Sequence, residues 1–261
     1  MHPILLKLGP LTFYTYGALM AGAFFVGLSW VLRRVQRDRV DSQTVMDLFF
    51  YVILASLLGS RLFFIVINYN GYLQDPLSAL KVWEGGLVFY GGLLFAIPTA
   101  IFYIRKKGLP LGILADAFAP PLALGHAVGR WGCFFAGCCF GSPTDLPWAV
   151  RFTDLHSLAP QGDLLHPTQI YSSLMNFGIC LVLIGWERWN KVRPPGQVFW
   201  LYLLLYSIGR FGIEFFRGDE RGIVFQVFSM SQFLGIFLAL LAGIMLLRAR
   251  NVGNQSALIS R

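Results

Sequence analysis

Residues 126 to 141 read HAVGRWGCFFAGCCFG and hold three of the chain's four cysteines, Cys133, Cys138 and Cys139, beside His126, Arg130 and four glycines. Such a stretch can do several kinds of chemistry. A metal site is not expected, because C-x4-C-C is followed by no second cysteine or histidine pair of the kind that completes zinc coordination. A disulfide from Cys133 to Cys138 or Cys139 is open if this stretch faces an oxidising compartment. A nucleophilic thiolate is open too, since Arg130 favours the ionised form. The reading preferred here is cysteine as a small hydrophobe in a packed turn, with Cys180 of the same kind.

A second constellation consists of charges inside apolar sequence: Arg61, Asp116, Arg130, Arg210 and Glu214. A charge in hydrocarbon costs at least about 2.5 to 3.5 kcal/mol, so each should face a bundle interior or a hydrated cavity. Two arrangements answer this. Either Arg210 neutralises Glu214 at i, i+4 while Asp116 pairs with Arg61, or Arg61, Arg130, Arg210, Arg217 and Arg221 outnumber their acidic neighbours and hold an anion. A guanidinium fork grips phosphate with two parallel bonds, which an ammonium cannot do. GRWG, the YGG at Tyr90 to Gly92, and RGDERG at Arg217 to Gly222 put permissive backbone beside charge or a phenol, where amides can approach a phosphate. Among four histidines, His166 in HPTQIY is the one placed to orient a headgroup or handle a proton, with Gln169 and Tyr171 close by. His2 and His156 read as structural.

The elements that must position these groups are membrane helices. The 261 residues are 56% hydrophobic and 13% charged, with a mean hydropathy of +0.62; soluble domains carry about 25% charged residues. The net charge of +8 comes with no basic stripe interleaved with stacking aromatics, so no nucleic-acid partner is expected and membrane lipid is. Apolar runs long enough to span a bilayer lie at about 11–32, 45–67, 87–104, 111–128, 170–186, 198–213 and 227–247. Met1 to Leu11 offers no signal-peptide cleavage site, so the first run should stay in the mature chain.

Thirteen of the 21 Lys and Arg fall in alternate loops: Arg33, Arg34, Arg37 and Arg39; Arg105, Lys106 and Lys107; Arg188, Lys191 and Arg193; Arg248, Arg250 and Arg261. The positive-inside rule then gives seven spans, N-terminus outside and C-terminus cytoplasmic. The expected fold is an all-α integral membrane protein, a single seven-span domain over residues 1–250 with a cytoplasmic tail at 251–261. An outer-side insertion at about 130–167, between helices 4 and 5, should form a small extramembrane element with a short strand or two. The other eight basic residues are Lys7, Arg61, Lys81, Arg130, Arg151, Arg210, Arg217 and Arg221, all on the outer side or within spans near it.

Four stretches, GSRLFFIVINYNGYLQDPLSALKVWEGGLVFYGGLL, GHAVGRWGCFFAGCCFG, HPTQIY and YSIGRFGIEFFRGDERG, together resemble the prolipoprotein diacylglyceryl transferase family of bacterial inner membranes, in order and over nearly the whole chain. The resemblance implies a multi-pass inner-membrane enzyme that moves the diacylglyceryl group of phosphatidylglycerol to the lipobox cysteine thiol of a preprolipoprotein signal peptide, with glycerol phosphate leaving. No metal or organic cofactor is implied. Arg130 matches the signature arginine and Arg210 that of the sixth-span motif, both implied to hold phosphate. Tyr206 and Glu214 match the residues flanking Arg210, and Tyr16 a first-span tyrosine. Gly129, Gly132, Gly137 and Gly141 match signature glycines, His166 the His-Pro motif, and Arg61, Asp116 and Arg217 sit at family-like positions.

Two departures stand out. Tyr90 replaces the histidine of the family's His-Gly-Gly, and Cys133 and Cys138 replace its asparagine and glutamate. A phenol with a pKa of about 10 is a poor base, so the proton acceptor stays open among Tyr90 aided by an arginine, His166, and an already ionised substrate thiolate. The residues alone also support an anionic-lipid transporter or scramblase, for which inverted repeats are expected and none is seen, or a membrane redox or metal protein built on the cysteines.

Overall fold

A computed structural model describes residues 2–9, 11–74, 78–79, 86–218, 223–224 and 228–259. Each of the seven apolar runs becomes a long helix: α1 (Thr15–Arg37), α2 (Ser42–Ile67), α4 (Phe89–Lys106), α5 (Leu111–Ala136), α6 (Thr168–Trp189), α7 (Gln197–Glu214) and α8 (Met230–Ile259), with a short α3 (Tyr69–Gln74) after α2. Five of them, α1, α2, α5, α6 and α8, are long and apolar enough to cross a membrane by length and composition. The other two, α4 and α7, have 18 residues each, a length of about 27 Å at 1.5 Å per residue. Exposed Phe25, Phe50, Leu174 and Phe237 on the outer faces of α1, α2, α6 and α8 have the character of lipid-facing side chains.

The fold is not purely helical. Among the described residues, three two-stranded antiparallel strand pairs accompany the helices: β1 (Ile4–Leu8) with β2 (Leu11–Tyr14), β3 (Val150–Arg151) with β4 (Leu164–Leu165), and β5 (Ile223–Val224) with β6 (Phe228–Ser229). The first corrects the expected start of the first span at residue 11, because LTFY pairs with β1 before the helix begins at Thr15. Leu, Thr, Phe and Tyr suit a strand as well as a span, so hydrophobicity alone misplaces this boundary. The second pair supplies the expected strands between α5 and α6. The insertion itself starts later than expected: α5 runs on to Ala136, which puts Arg130 inside the helix rather than in the loop. WGCFFA keeps the helix apolar until Gly137 ends it. Residue 227, the expected start of the last span, lies outside the described residues, and residues 251–259, expected as tail, continue α8.

The chain divides into two compact units, one of Leu32–Leu114, the other of Met1–Val31 with Ala115–Arg261. In the first, α2 and α4 cross at their glycines. A Cβ on Gly59 would meet the Gly91 carbonyl oxygen at 2.5 Å, and one on Gly92 would meet Ser60 Oγ at 2.5 Å. Small residues let two membrane helices touch backbone to backbone. Asp41 caps α2, accepting from the amides of Gln43 and Thr44, and those bonds, with the Thr44 hydroxyl first, hold its carboxyl below the usual range.

In the second unit the core joins α5, α6 and α7 through Ala119, Ala123, Ile179, Cys180, Leu183, Val198 and Tyr202. A satellite core of Phe152, Ala159 and Leu165 sits under the β3–β4 segment. Asp116 is buried on α5. Its two oxygens accept from the amides of Gly196 and Phe199, both at 2.9 Å, so it caps the start of α7, where orphan amides and the helix dipole favour a carboxylate.

Candidate functional site

The GRWG-to-GCCFG stretch is shaped by backbone geometry. Gly137 has φ +75, its amide bonds the Phe134 carbonyl at 3.2 Å, and the Cys138 amide bonds the Cys133 carbonyl at 3.1 Å. That is the Schellman ending of a helix, which needs a left-handed residue. A Cβ at Gly137 would also lie 1.9 Å from Ser157 Oγ. Cys139 is left-handed as well, with φ +63. The turn is tied to the start of α6, where Gln169 Nε2 donates to the Cys138 carbonyl at 2.8 Å and Thr168 Oγ1 to the Cys139 carbonyl at 2.7 Å.

The same turn brings together three sulfurs that their spacing in the sequence keeps apart. The Sγ atoms of Cys133, Cys138 and Cys139 all lie within 4.8 Å of one another, each half-buried. Hydrogen bonds from Cys133 and Cys138, helped by Arg217, hold the Cys139 thiol below its ordinary value. Hydrogen bonding to Cys133 and Cys139 pushes Cys138 up.

Arg130 stands one turn before this cluster. Its guanidinium has no hydrogen bond or ion pair among the described residues, and it interacts electrostatically with Cys133, Cys139, Tyr206 and Arg217. A half-buried guanidinium without an ion pair to a carboxylate among the described residues is the feature an anionic ligand would satisfy. One turn earlier on α5, His126 Nδ1 lies 3.0 Å from the Tyr202 hydroxyl, and its ring centre is 5.3 Å from that of Tyr206. Two of the signature glycines seat α1 against this helix: Cβ atoms on Gly132 and Gly129 would meet Tyr16 Cδ2 at 2.9 Å and Met20 Sδ at 3.0 Å. Tyr16 thereby lies over the same end of α5.

The second expected phosphate arginine, Arg210, is paired within α7. Arg210 Nη1 pairs with Glu214 Oε2 at 2.5 Å, and both side chains are largely buried. Ser231 on α8 bridges them, accepting from Arg210 Nη2 at 3.2 Å and donating to Glu214 Oε1 at 2.6 Å. The mutual neutralisation of Arg210 and Glu214 is therefore what the fold contains.

His166 lies in the strand-like segment before α6. Its amide donates to the Ser142 carbonyl and its carbonyl accepts from the Gly141 amide, both at 3.0 Å. Gly141 also bridges Arg217. A Cβ at Gly141 would meet His166 Cβ at 2.4 Å and the Phe216 carbonyl oxygen at 2.6 Å, so this glycine closes a seam of three backbones. His166 Nδ1 is 3.2 Å from the Tyr171 hydroxyl, which accepts from Trp148 Nε1 at 2.7 Å. These rings and Phe216 line an open, apolar groove of about 490 Å³ between α6 and α7.

Arg61 and Tyr90 belong to the other unit. Arg61 is buried and donates to the carbonyls of Ser78 (2.7 Å), Ala79 (2.9 Å) and Gly86 (3.3 Å), with the rings of Phe64 and Tyr72 beside it. Tyr90 is exposed, and the glycines after it serve the α2–α4 crossing. Lys81, Arg221 and most of RGDERG lie outside the described residues.

The contact of His126 with Tyr202 is one the sequence reading did not foresee. The signal was present: His126 and Arg130 are four apart, and Tyr202, Tyr206, Arg210 and Glu214 form an unbroken i, i+4 row, so each set lines one helix face.

Apolar helices around a polar, arginine-bearing end of α5 define a multi-pass helical membrane protein. The chain belongs to the prolipoprotein diacylglyceryl transferase family, whose model matches residues 3–248. It is 35% identical over 237 residues to the phosphatidylglycerol–prolipoprotein diacylglyceryl transferase of Clostridium tetani, covering 91% of this chain and 93% of that one. Similar proteins of the same name occur in Bordetella avium, 36% identical over 90% of this chain and 89% of the relative, and in Parasynechococcus marenigrum, 36% identical over 83% and 80%.

Proposed function

We propose that this chain transfers the diacylglyceryl group of phosphatidylglycerol to the thiol of a lipobox cysteine in a preprolipoprotein signal peptide. It would do so as a single seven-span domain in the bacterial inner membrane, N-terminus outside and C-terminus cytoplasmic, with α4 and α7 as the two shorter spans. In the reaction a proton leaves the thiol, a carbon–sulfur bond forms at the glycerol carbon, and the carbon–oxygen bond to phosphate breaks. Negative charge collects on the departing phosphate. The observation that carries the reading is the Arg130 guanidinium, without a hydrogen bond or ion pair among the described residues, beside Tyr206 in a member of this family. A fixed cation and a phenol donor at the leaving oxygen lower the barrier by preorganised electrostatics.

Arg210 and Glu214 act in this scheme as a neutral strut that orients the Tyr206 face of α7, and Arg217 adds positive potential beside Cys139. Gly129, Gly132 and Gly141 shape the site by letting backbones meet, Tyr16 closes it from α1, and Arg61 holds the segment after α3 through the carbonyls of Ser78 and Ala79. For the proton, His126 joins Tyr90 and His166 as a candidate and is the one favoured here. In the tautomer whose Nδ1–H donates to Tyr202, Nε2 carries a lone pair one helical turn from Arg130. Incubating the purified protein with phosphatidylglycerol and a lipobox peptide tests the reading. A mass gain of one diacylglyceryl unit on the peptide cysteine is expected; its absence overturns the transferase, and lipid movement between leaflets without that product would point to a scramblase.

A further inference from the structure

The thiols of Cys133 at the end of α5 and of Cys138 and Cys139 in the GCCFG turn have no part in the transfer, whose new bond is made to the substrate's sulfur. We propose that Cys133, Cys138 and Cys139 form a three-sulfur site for a soft cation, copper(I) in particular. The first ground is distance. All three Sγ atoms lie within 4.8 Å of one another, and three sulfurs around an ion at about 2.3 Å each stand about 4 Å apart. Closing onto an ion therefore needs side-chain shifts below about 1 Å, which rotation about the Cα–Cβ bonds supplies.

The second ground is that the backbone holds the cluster without using the sulfurs. Cys133 is on the last turn of α5, and the Schellman bonds at Gly137 and Cys138 fold the chain back over it. Cys139 is kept in a left-handed conformation, and the carbonyls of Cys138 and Cys139 are fixed by Gln169 and Thr168. Among the described residues, the sulfurs make one weak contact with the backbone, Cys138 Sγ to the Cys133 carbonyl at 3.7 Å. A preorganised ligand set lowers the ordering cost of binding.

The identity of the ion follows from the donors. Thiolates select copper(I), zinc or iron–sulfur clusters. A structural zinc ion takes four protein ligands, whereas the group here has three, with no histidine or carboxylate joining it among the described residues. Three soft donors satisfy a monovalent d10 ion. Three thiolates around copper(I) leave a charge of minus two, and Arg130 and Arg217 both interact with Cys139 to offset it. On binding, three S–H bonds give way to three S–Cu bonds and the protons pass to buffer; the copper enters and remains as copper(I), so no electron moves.

The test is an anaerobic titration of the full chain in detergent with copper(I) buffered by bicinchoninate, followed by X-ray absorption. One equivalent bound with three sulfur neighbours is expected. Cys133→Ser, Cys138→Ser and Cys139→Ser should each weaken binding on the order of 100-fold or more, with Cys180→Ser unchanged. The absorption result on the unaltered chain stands even if a variant folds poorly. No retained copper, fewer than three sulfur neighbours, or zinc(II) displacing copper(I) in direct competition overturns the site. So does a disulfide between any two of the three cysteines in protein purified without reductant.

Discussion

Arg210 and Glu214, one turn apart on α7, share a buried ion pair that Ser231 bridges from α8. Breaking such a pair from one side leaves a charge in apolar surroundings, at a cost of about 3 to 5 kcal/mol, whereas replacing both partners with apolar residues is often close to neutral. Glu214→Gln is therefore expected to lower the unfolding midpoint in detergent sharply, and Arg210→Met with Glu214→Leu to recover most of it. If the double variant also transfers diacylglyceryl at near the parent rate, the pair is structural. A folded double variant with no turnover would return Arg210 to the phosphate.

The seven apolar runs were legible because a span must be apolar for about 20 residues, and the Arg210–Glu214 pair because four residues make one helical turn. Other features depend on neighbours remote in sequence. His126 and Tyr202 meet across 76 residues, and nothing local marks that contact. The glycines were legible as important, and the structure adds a packing reason for them. Backbone freedom beside charge suggested phosphate, while Gly129, Gly132 and Gly141 are needed for close approach of Met20, Tyr16 and the His166 strand. The cysteines show the same limit, since the C-x4-C-C spacing does not reveal that the left-handed turn at Gly137 brings the three sulfurs together.

Gly141 and Gly178 offer a contrast within one unit. A Cβ at Gly141 meets backbone and Cβ atoms below 3 Å, while one at Gly178, inside α6, meets nothing within 4 Å. Gly141→Ala should force apart the seam joining residues 141, 166 and 216 and reduce both stability and turnover. Gly178→Ala should raise helix stability by up to about 1 kcal/mol. Thermal unfolding in detergent checks both, and equal effects of the two substitutions would contradict the seam.

Asp116 is a buried carboxylate with a structural task, the capping of α7. Asp116→Ala orphans the amides of Gly196 and Phe199, and a bond from amide to carboxylate contributes about 1.5 to 3 kcal/mol. The expected result is a less stable protein whose folded fraction keeps its turnover rate. Active-site titration beside an unfolding curve separates the two quantities.

Arg130 carries the opposite expectation, a small effect on stability and a large one on rate. It has no partner among the described residues to orphan, so Arg130→Ala should leave the unfolding midpoint within about 1 kcal/mol of the parent. Its loss should cost about 100- to 1,000-fold in kcat, the size expected for one donor at a developing oxyanion. Arg130→Lys keeps the charge and loses the fork, so recovery should be partial. Retained turnover in Arg130→Ala would remove this arginine from the site.

The proton acceptor gives the sharpest test, because a base can be bypassed by pH. If His126 takes the thiol proton through Nε2, His126→Ala should lose about 100- to 10,000-fold in rate near neutral pH, the usual share of a general base. The substrate thiol ionises on its own near pH 8.5. Below that value the thiolate fraction rises tenfold per pH unit, so the variant's rate should climb with the same slope and level off above it. The parent enzyme, supplied with a base, should depend much less on pH over this range. Tyr202→Phe removes the group that holds Nδ1 and should lower the rate less, with a pH profile of the parent's shape. A flat profile for His126→Ala, or a steep one for Tyr90→Phe or His166→Ala instead, assigns the proton to another residue.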